Sequence, residues 1–204
     1  MKEQKEQTES FIEFCNRLGS NAPTPGGGAA SGIVLSLGAS CAEKAARFSI
    51  DDYLEGYLES FVNIKENGFI LAEKDQKAFL NWMQARKLPK DTEQEIRERE
   101  EKIQTYVKEC TLVPREIVTN CIKLVEVIFD FIKYCNKWLI SDLACGVNFA
   151  KASFDSAIFN IKINIPYIKD KKFIQSLQIF IEDNEKYFNK IVRNSLRDCY
   201  DKIK

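Results

Sequence analysis

Apolar residues recur along the chain at intervals of three and four, and no stretch alternates in the manner of a strand, so the pattern predicts helices throughout. A first helix is expected over about residues 6–18, with Phe11, Phe14, Cys15 and Leu18 on one stripe, ended by Gly19–Ser20–Asn21–Ala22–Pro23. A second starts near Gly28 and carries Ile33, Leu37 and Cys41 at helical spacing. Its first half is built from small side chains, which let a helix approach its neighbours closely, so it is placed at the centre. A third spans about 54–87, with a bend expected near Gly68. The fourth opens on Thr92–Glu93–Gln94–Glu95, a capping box, and should kink or break at Pro114, which removes a helical hydrogen bond. Its apolar pattern continues from Ile117 to Ile132. Ser141 and Asp142 are the expected cap of a fifth helix, whose stripe runs from Leu143 to Ile165 before Pro166, and a sixth occupies about 170 to the end. The fold class is therefore all-α: one domain over residues 1–204, an up-and-down bundle of five to six long helices. Wide apolar faces on helices of this length lead us to expect a homodimer.

Composition narrows the chemistry. With 30 basic and 30 acidic residues the net charge is zero, which gives no electrostatic footprint for nucleic acid. The seven cysteines are scattered, without a CxxC pair, and read as small core residues of a reducing compartment rather than zinc ligands. The charged N-terminus lacks a signal-peptide core, and the most apolar stretch, residues 122–134, is broken by charges. A cytoplasmic protein with no membrane partner is expected. There is no histidine, so proton transfer must fall to Asp, Glu, Lys, Tyr, Cys or water.

Three segments could carry that chemistry. In Pro23–Thr24–Pro25–Gly26–Gly27–Gly28, two prolines stiffen the chain and three glycines strip it of side chains just before a helix. Either the backbone N–H groups there meet an anion or polar heterocycle, or the segment is a sharp loop with a glycine N-cap. Asp75 lies between Leu71 and Phe79 on an apolar stripe, where a carboxylate needs a partner or a purpose. Asn136, Ser141 and Asp142 cluster between the fourth and fifth helices as capping residues, and Asn160 and Asn164 place two amides one turn apart in an apolar helix. Those amides could bind a polar ligand or satisfy backbone groups near Pro166. Glu43, Lys44, Arg47 and the run from Arg97 to Lys102 read as solvated faces, and Trp82 and Trp138 as packing residues.

Taken in order, Ala22–Gly28, Asp75–Phe79 leading to Thr92, Val113–Pro114, Asn136, Ser141–Asp142 and Phe159–Ile165 resemble the cyclodeaminase domain of formiminotransferase-cyclodeaminase and the methenyltetrahydrofolate cyclohydrolases, over about residues 8–170. The resemblance implies an all-helical dimer without a prosthetic group. Its substrate would be a tetrahydrofolate derivative with the reacting carbon between N5 and N10. It also implies that Asp75 and Asp142 line the site with one as the acid-base group. Asn136, Ser141, Asn160 and Asn164 would hold the ligand or orient water, and Pro25, Gly26, Gly27 and Gly28 would contact it. No metal is implied. The chain departs from the family at Ile50–Asp51–Asp52–Tyr53, where basic residues are usual, at Glu43, Lys44 and Arg47, and at Cys135, where glycine is usual. A relative repurposed as a binding subunit, or a plain helical interaction module, are the alternatives.

Overall fold

The structure, a computed structural model, describes residues 9–49 and 54–204. Among these there is no strand. The helices are α1 (Phe11–Leu18), α2 (Gly27–Arg47), α3 (Glu55–Ala85), α4 (Glu93–Phe131), α5 (Ile140–Asn164) and α6 (Lys171–Ile203), with 3-10 turns at Ile132–Tyr134, Lys137–Leu139 and Ile165–Tyr167. The predicted start of the first helix at residue 6 lies outside the described residues. In the described part, α1 begins only at Phe11, because Ser10 and Glu13 form a capping box there. The capping box at Thr92 and Glu95 is present as expected. Leu139 is the N-cap of α5, so Ser141 and Asp142 sit inside its first turn instead of capping it. The reason is upstream: Asn136 caps the 3-10 turn with its side-chain oxygen, and α5 continues directly from that turn.

Successive long helices run antiparallel, and α2 is central, packed between α3 and α5 with α4 behind it. Its small residues set the spacing. A Cβ on Gly32 would lie 2.7 Å from the Gly68 carbonyl oxygen and 2.9 Å from the Ala72 nitrogen, both backbone atoms of α3. A Cβ on Gly146 of α5 would lie 2.9 Å from the Gly38 carbonyl oxygen. Gly68 therefore serves a helix crossing, and α3 runs through it unbroken. The core is continuous, with Leu35, Phe61, Ile117, Leu124, Ile128, Phe131, Leu143, Phe154 and Ile161 fully enclosed, and the rings of Phe154 and Phe188 stack at 4.0 Å to hold α6 on α5.

Pro114 does not interrupt α4, which continues to Phe131. A proline at this position leaves the carbonyl four residues earlier, on Cys110, without its helical donor. The Asn164 side-chain N–H2 of α5 supplies the replacement, donating to the Cys110 oxygen at 2.9 Å and to the Asn160 oxygen at 2.9 Å. One interhelical amide thus closes the gap. Replacing Asn164 with Ala should strand the Cys110 carbonyl and cost about 1–3 kcal/mol in urea unfolding. In a Pro114→Ala background, where residue 114 regains its N–H, the same change should cost less than half as much. Equal costs in the two backgrounds count against this account.

Candidate functional site

The N-terminus of α2 has no cap of its own: Gly26 is the N-cap residue and offers no side-chain hydrogen bond. The missing acceptor comes from α3. The Asp75 carboxylate reaches the first turn of α2, where the Ala29 backbone N–H favours its charged form. It lies so close that a Cβ on Gly28 would collide with it, its Cγ being only 2.5 Å from the added atom. A Cβ on Gly27 would meet the Asn160 amide nitrogen at 3.5 Å, while Gly26 faces open space. No described glycine has positive φ, so no left-handed turn requires them, and of the three only Gly28 is demanded by close approach. The Thr24–Pro25 peptide is cis.

Asp75 is the polar floor of a cavity of about 160 Å³ lined by Pro23, Thr24, Gly26, Gly27, Gly28, Phe79, Cys110, Asn160, Ile163 and Asn164. Burial raises its pKa from 3.8 to about 6, against the opposing pull of the Ala29 N–H. Such a carboxyl exchanges its proton close to neutral pH. Cys110, by contrast, is pushed up to about 12 by burial and then by the Asp75 charge, so it stays a thiol and offers no nucleophile. Asn164 spends its N–H2 on two carbonyls, which leaves its side-chain oxygen for the cavity, while Asn160 donates one N–H to the Ser156 oxygen at 2.8 Å and keeps the other. No group of three or more metal-ligating side chains occurs among the described residues.

Of the residues singled out from sequence, Asp75, Gly26, Gly27, Gly28, Asn160 and Asn164 come together in this cavity. Pro25 is buried beneath it and does not line it, whereas Pro23 and Thr24 do. Asn136, Ser141 and Asp142 lie at the other end of the bundle. Asp142 is eighteen residues from Asn160 on the same helix, about 27 Å at helical rise. There Asp142 pairs with Lys44 at 3.0 Å, and Asn136 bonds to the end of α2, its N–H on the Ser49 hydroxyl at 2.8 Å. Within one chain the two clusters do not meet. Two further expectations are corrected at this end. Glu43 is only 8% exposed and not solvated, because Lys65 and Arg47 each bind it at 2.7 Å; burial alone would raise its pKa, yet these two cations hold it below the ordinary range. Trp138 is 86% exposed and packs against little, while Trp82 packs as expected, against Phe79 and Tyr167. The departure at residues 50–53 lies outside the described residues. Thr24, Phe79 and Cys110 were missed as lining residues. The signal for Cys110 was its place four residues before Pro114.

The bundle thus seats a half-buried carboxyl on the N-terminus of its central helix, with a cavity above it, in a chain that contains no histidine. Residues 10–183 match the formiminotransferase-cyclodeaminase family, and the chain belongs to it. The chain is 29% identical to the methenyltetrahydrofolate cyclohydrolase of Methylorubrum extorquens, over 82% of this chain and 84% of that one. It is 26% identical to the formimidoyltransferase-cyclodeaminase of Gallus gallus, over 81% of this chain but only 32% of that protein, so it spans about a third of the longer relative. The crystal structure of formiminotetrahydrofolate cyclodeaminase from Thermotoga maritima superposes with a TM-score of 0.79 at 26% identity, over 95% of this chain and 96% of that one. Among the described residues no helix is long and apolar enough to cross a membrane.

The raised Asp75 pKa has a consequence for stability. Between pH 3.8 and about 6 the folded chain holds this proton more tightly than the unfolded one, so the contribution of Asp75 falls as pH rises through that window. Asp75→Asn keeps an acceptor for the Ala29 N–H but cannot ionise. It should exceed the wild type in urea stability at pH 8, by on the order of 2–3 kcal/mol at most, with the gap closing by pH 4. A gap that does not change between those pH values refutes the assignment.

Proposed function

We propose that this chain is a folate-dependent one-carbon enzyme acting at the carbon that bridges N5 and N10 of tetrahydrofolate, with Asp75 as its acid-base group. The observation that carries this reading is the half-buried Asp75 carboxyl on the α2 N-terminus, with a pKa raised to about 6 and a cavity above it. The relatives named above supply the substrate class. In hydrolysis of a 5,10-methenyl substrate, water adds to the bridging carbon while the Asp75 carboxylate takes its proton. The carbon–N5 bond then breaks, Asp75 returns the proton to N5, and the remaining hydroxyl proton leaves to solvent as the formyl group forms on N10. In closure of a 5-formimino substrate, N10 adds to the formimino carbon. The departing nitrogen gathers one proton from N10 and one from the Asp75 carboxylic acid, and leaves as ammonia. Both reactions need one group able to give and take a proton near pH 6–7. The substrate is cationic or turns cationic, and the Asp75 carboxylate and the Asn164 side-chain oxygen favour it.

With purified protein, loss of the near-ultraviolet absorbance of 5,10-methenyltetrahydrofolate reads hydrolysis, and ammonia release from 5-formiminotetrahydrofolate reads closure. At least one should turn over, and Asp75→Asn should lower kcat by about 100-fold or more. For hydrolysis, kcat/KM should rise with pH through about 6 as the Asp75 base forms. A wild-type chain inert on both substrates overturns this reading and leaves those of a repurposed binding subunit and of a plain helical interaction module.

The proposal also assigns a place to Asp142, Asn136 and Ser141. The outer faces of α2 and α5 carry small and apolar residues at alternating intervals of three and four, Cys145, Phe149, Ala152, Ser156, Phe159 and Ile163 on α5 and Ala30, Val34, Leu37 and Cys41 on α2. Phe159 is 73% and Ile163 66% exposed. A second copy of the chain packed across the middle of this strip about a two-fold axis sets one end against the other. The Asn136–Asp142 junction of each copy then closes over the Asp75 cavity of its partner. The cavity alone is smaller than most ligand sites, in keeping with a second wall. Asp142→Asn should then be impaired like Asp75→Asn. Mixing the two inactive variants under subunit exchange should restore about a quarter of wild-type activity, since half the dimers are mixed and each has one intact site. No recovery in a mixture shown to contain mixed dimers excludes the shared site.

A further inference from the structure

The last turn of α6 reaches back to the loop between α4 and α5. There the half-buried Lys202 ammonium donates to three backbone carbonyls, on Ile132 at 2.6 Å, Lys133 at 3.0 Å and Cys135 at 3.1 Å. Carbonyls at the end of a helix lack intrahelical donors and carry the negative end of its dipole, so a cation suits them. An ammonium has three N–H groups, and this loop takes all three. One turn before Lys202, Cys199 is buried in the same core as Ile132 and Cys135, which seats the end of α6 against the loop.

The grip falls on the peptide that leads into the Asn136–Asp142 junction. The Cys135 carbonyl and the Asn136 N–H belong to one planar peptide. Lys202 holds the carbonyl at 3.1 Å from one side. From the other, the Ser49 hydroxyl, just past the end of α2, accepts from the N–H at 2.8 Å. A peptide held at both ends cannot rotate, and it fixes the Asn136 side chain that follows. Asn136 in turn caps the Lys137–Leu139 turn, and α5 continues from that turn with Ser141 and Asp142 in its first turn. The order of dependence runs from Lys202 through Cys135 and Asn136 to Asp142. Lys202 itself lies outside residues 10–183, the part of the chain that matches the family.

We infer that Lys202 is a positioning residue for the folate site, setting through the Cys135–Asn136 peptide where Asn136, Ser141 and Asp142 stand. The inference rests on the reading above, in which this junction is a wall of the site. Lys202 touches no ligand and acts only through the junction. An arginine can serve the same carbonyls. A methionine cannot, and it leaves three acceptors to water, so the junction loses its fixed orientation and the ligand its second wall.

The test reads ligand binding and local structure separately, and neither needs turnover. The probe is 5-formyltetrahydrofolate, a stable folate with its one-carbon group on N5. In isothermal titration of the full chain, Lys202→Met should bind it about tenfold more weakly than the wild type, and Lys202→Gln at least about threefold more weakly. Lys202→Gln keeps a polar group at the loop and serves as the test if the Met variant folds poorly. Lys202→Arg should stay within about twofold of the wild type. The chain has two tryptophans, and with 5-fluorotryptophan at both, fluorine NMR reports the two ends of the bundle. The Trp138 line, on the junction, should shift or broaden in the Met and Gln variants. The Trp82 line, packed against Phe79 and Tyr167, should stay in place. Unchanged affinity in both variants overturns the role, as does weaker binding with an unmoved Trp138 line. Equal movement of both lines, or an Arg variant as weak as Met, marks general loosening of the bundle and overturns it too. A protein that binds the probe in this Lys202-dependent way yet turns over neither substrate overturns the proposed reaction and leaves the role of Lys202 standing. A wild type that binds no probe up to millimolar concentration overturns the folate reading, and the positioning role with it.

Discussion

The close approach of α2 to its two neighbours is the constraint from which the rest follows. Gly32 meets Gly68 on one side and Gly38 meets Gly146 on the other, at separations that admit no Cβ. Contacts made backbone to backbone leave no side chain to adjust, so the three helices are locked in axial position as well as in spacing. Gly28 is one turn from Gly32, and Asp75 is two turns from Gly68. The seat of the carboxylate on the α2 N-terminus is therefore fixed by a crossing a few ångströms away. An α2 displaced by the width of a methyl group would no longer present Ala29 to Asp75.

That seat balances two opposed effects. Burial disfavours the charged carboxylate, while the N–H groups and dipole at a helix start favour it. Here burial prevails by a margin that leaves the pKa at about 6. A stronger helix-end contact would yield a permanently ionised cap, and deeper burial a permanently neutral acid. The position between them leaves one group that both faces the α2 N-terminus and titrates near neutral pH, in a chain without histidine.

Much of this was legible in the residues. The all-helical bundle, the central small-sided α2 and the capping box at Thr92 follow from local patterns, because caps and apolar spacing act over a turn or two, whereas the pairing of the glycine turn with Asp75 was implied by the family resemblance. What was not legible depended on long-range packing. Pro114 reads as a break because the sequence does not show that an amide fifty residues later replaces the lost hydrogen bond. Glu43 reads as solvated because its partner Lys65 is on another helix. The Asn136–Asp142 junction reads as part of one pocket because order along a chain does not reveal that α5 separates its two ends by its own length. The glycine turn was recognised in the right place: Gly26 is the N-cap of α2, and the carboxylate pressed against Gly28 accounts for that residue.

The exchange between Pro114 and Asn164 reaches beyond the stability of α4. An asparagine amide can sit in either of two flipped orientations, and in an open pocket a ligand would choose between them. Here the choice is already made. The Cys110 carbonyl, bared by a proline that does not itself line the cavity, and the Asn160 carbonyl both demand the nitrogen, so the oxygen is what remains for a visitor. The polarity of that cavity wall is thus written by a residue outside it. An aspartate at 164 would be no close substitute, because it would set a carboxylate against two carbonyl oxygens and a second acid beside Asp75. A helix irregularity on α4 thereby decides which hydrogen-bonding face of a molecule the cavity can greet.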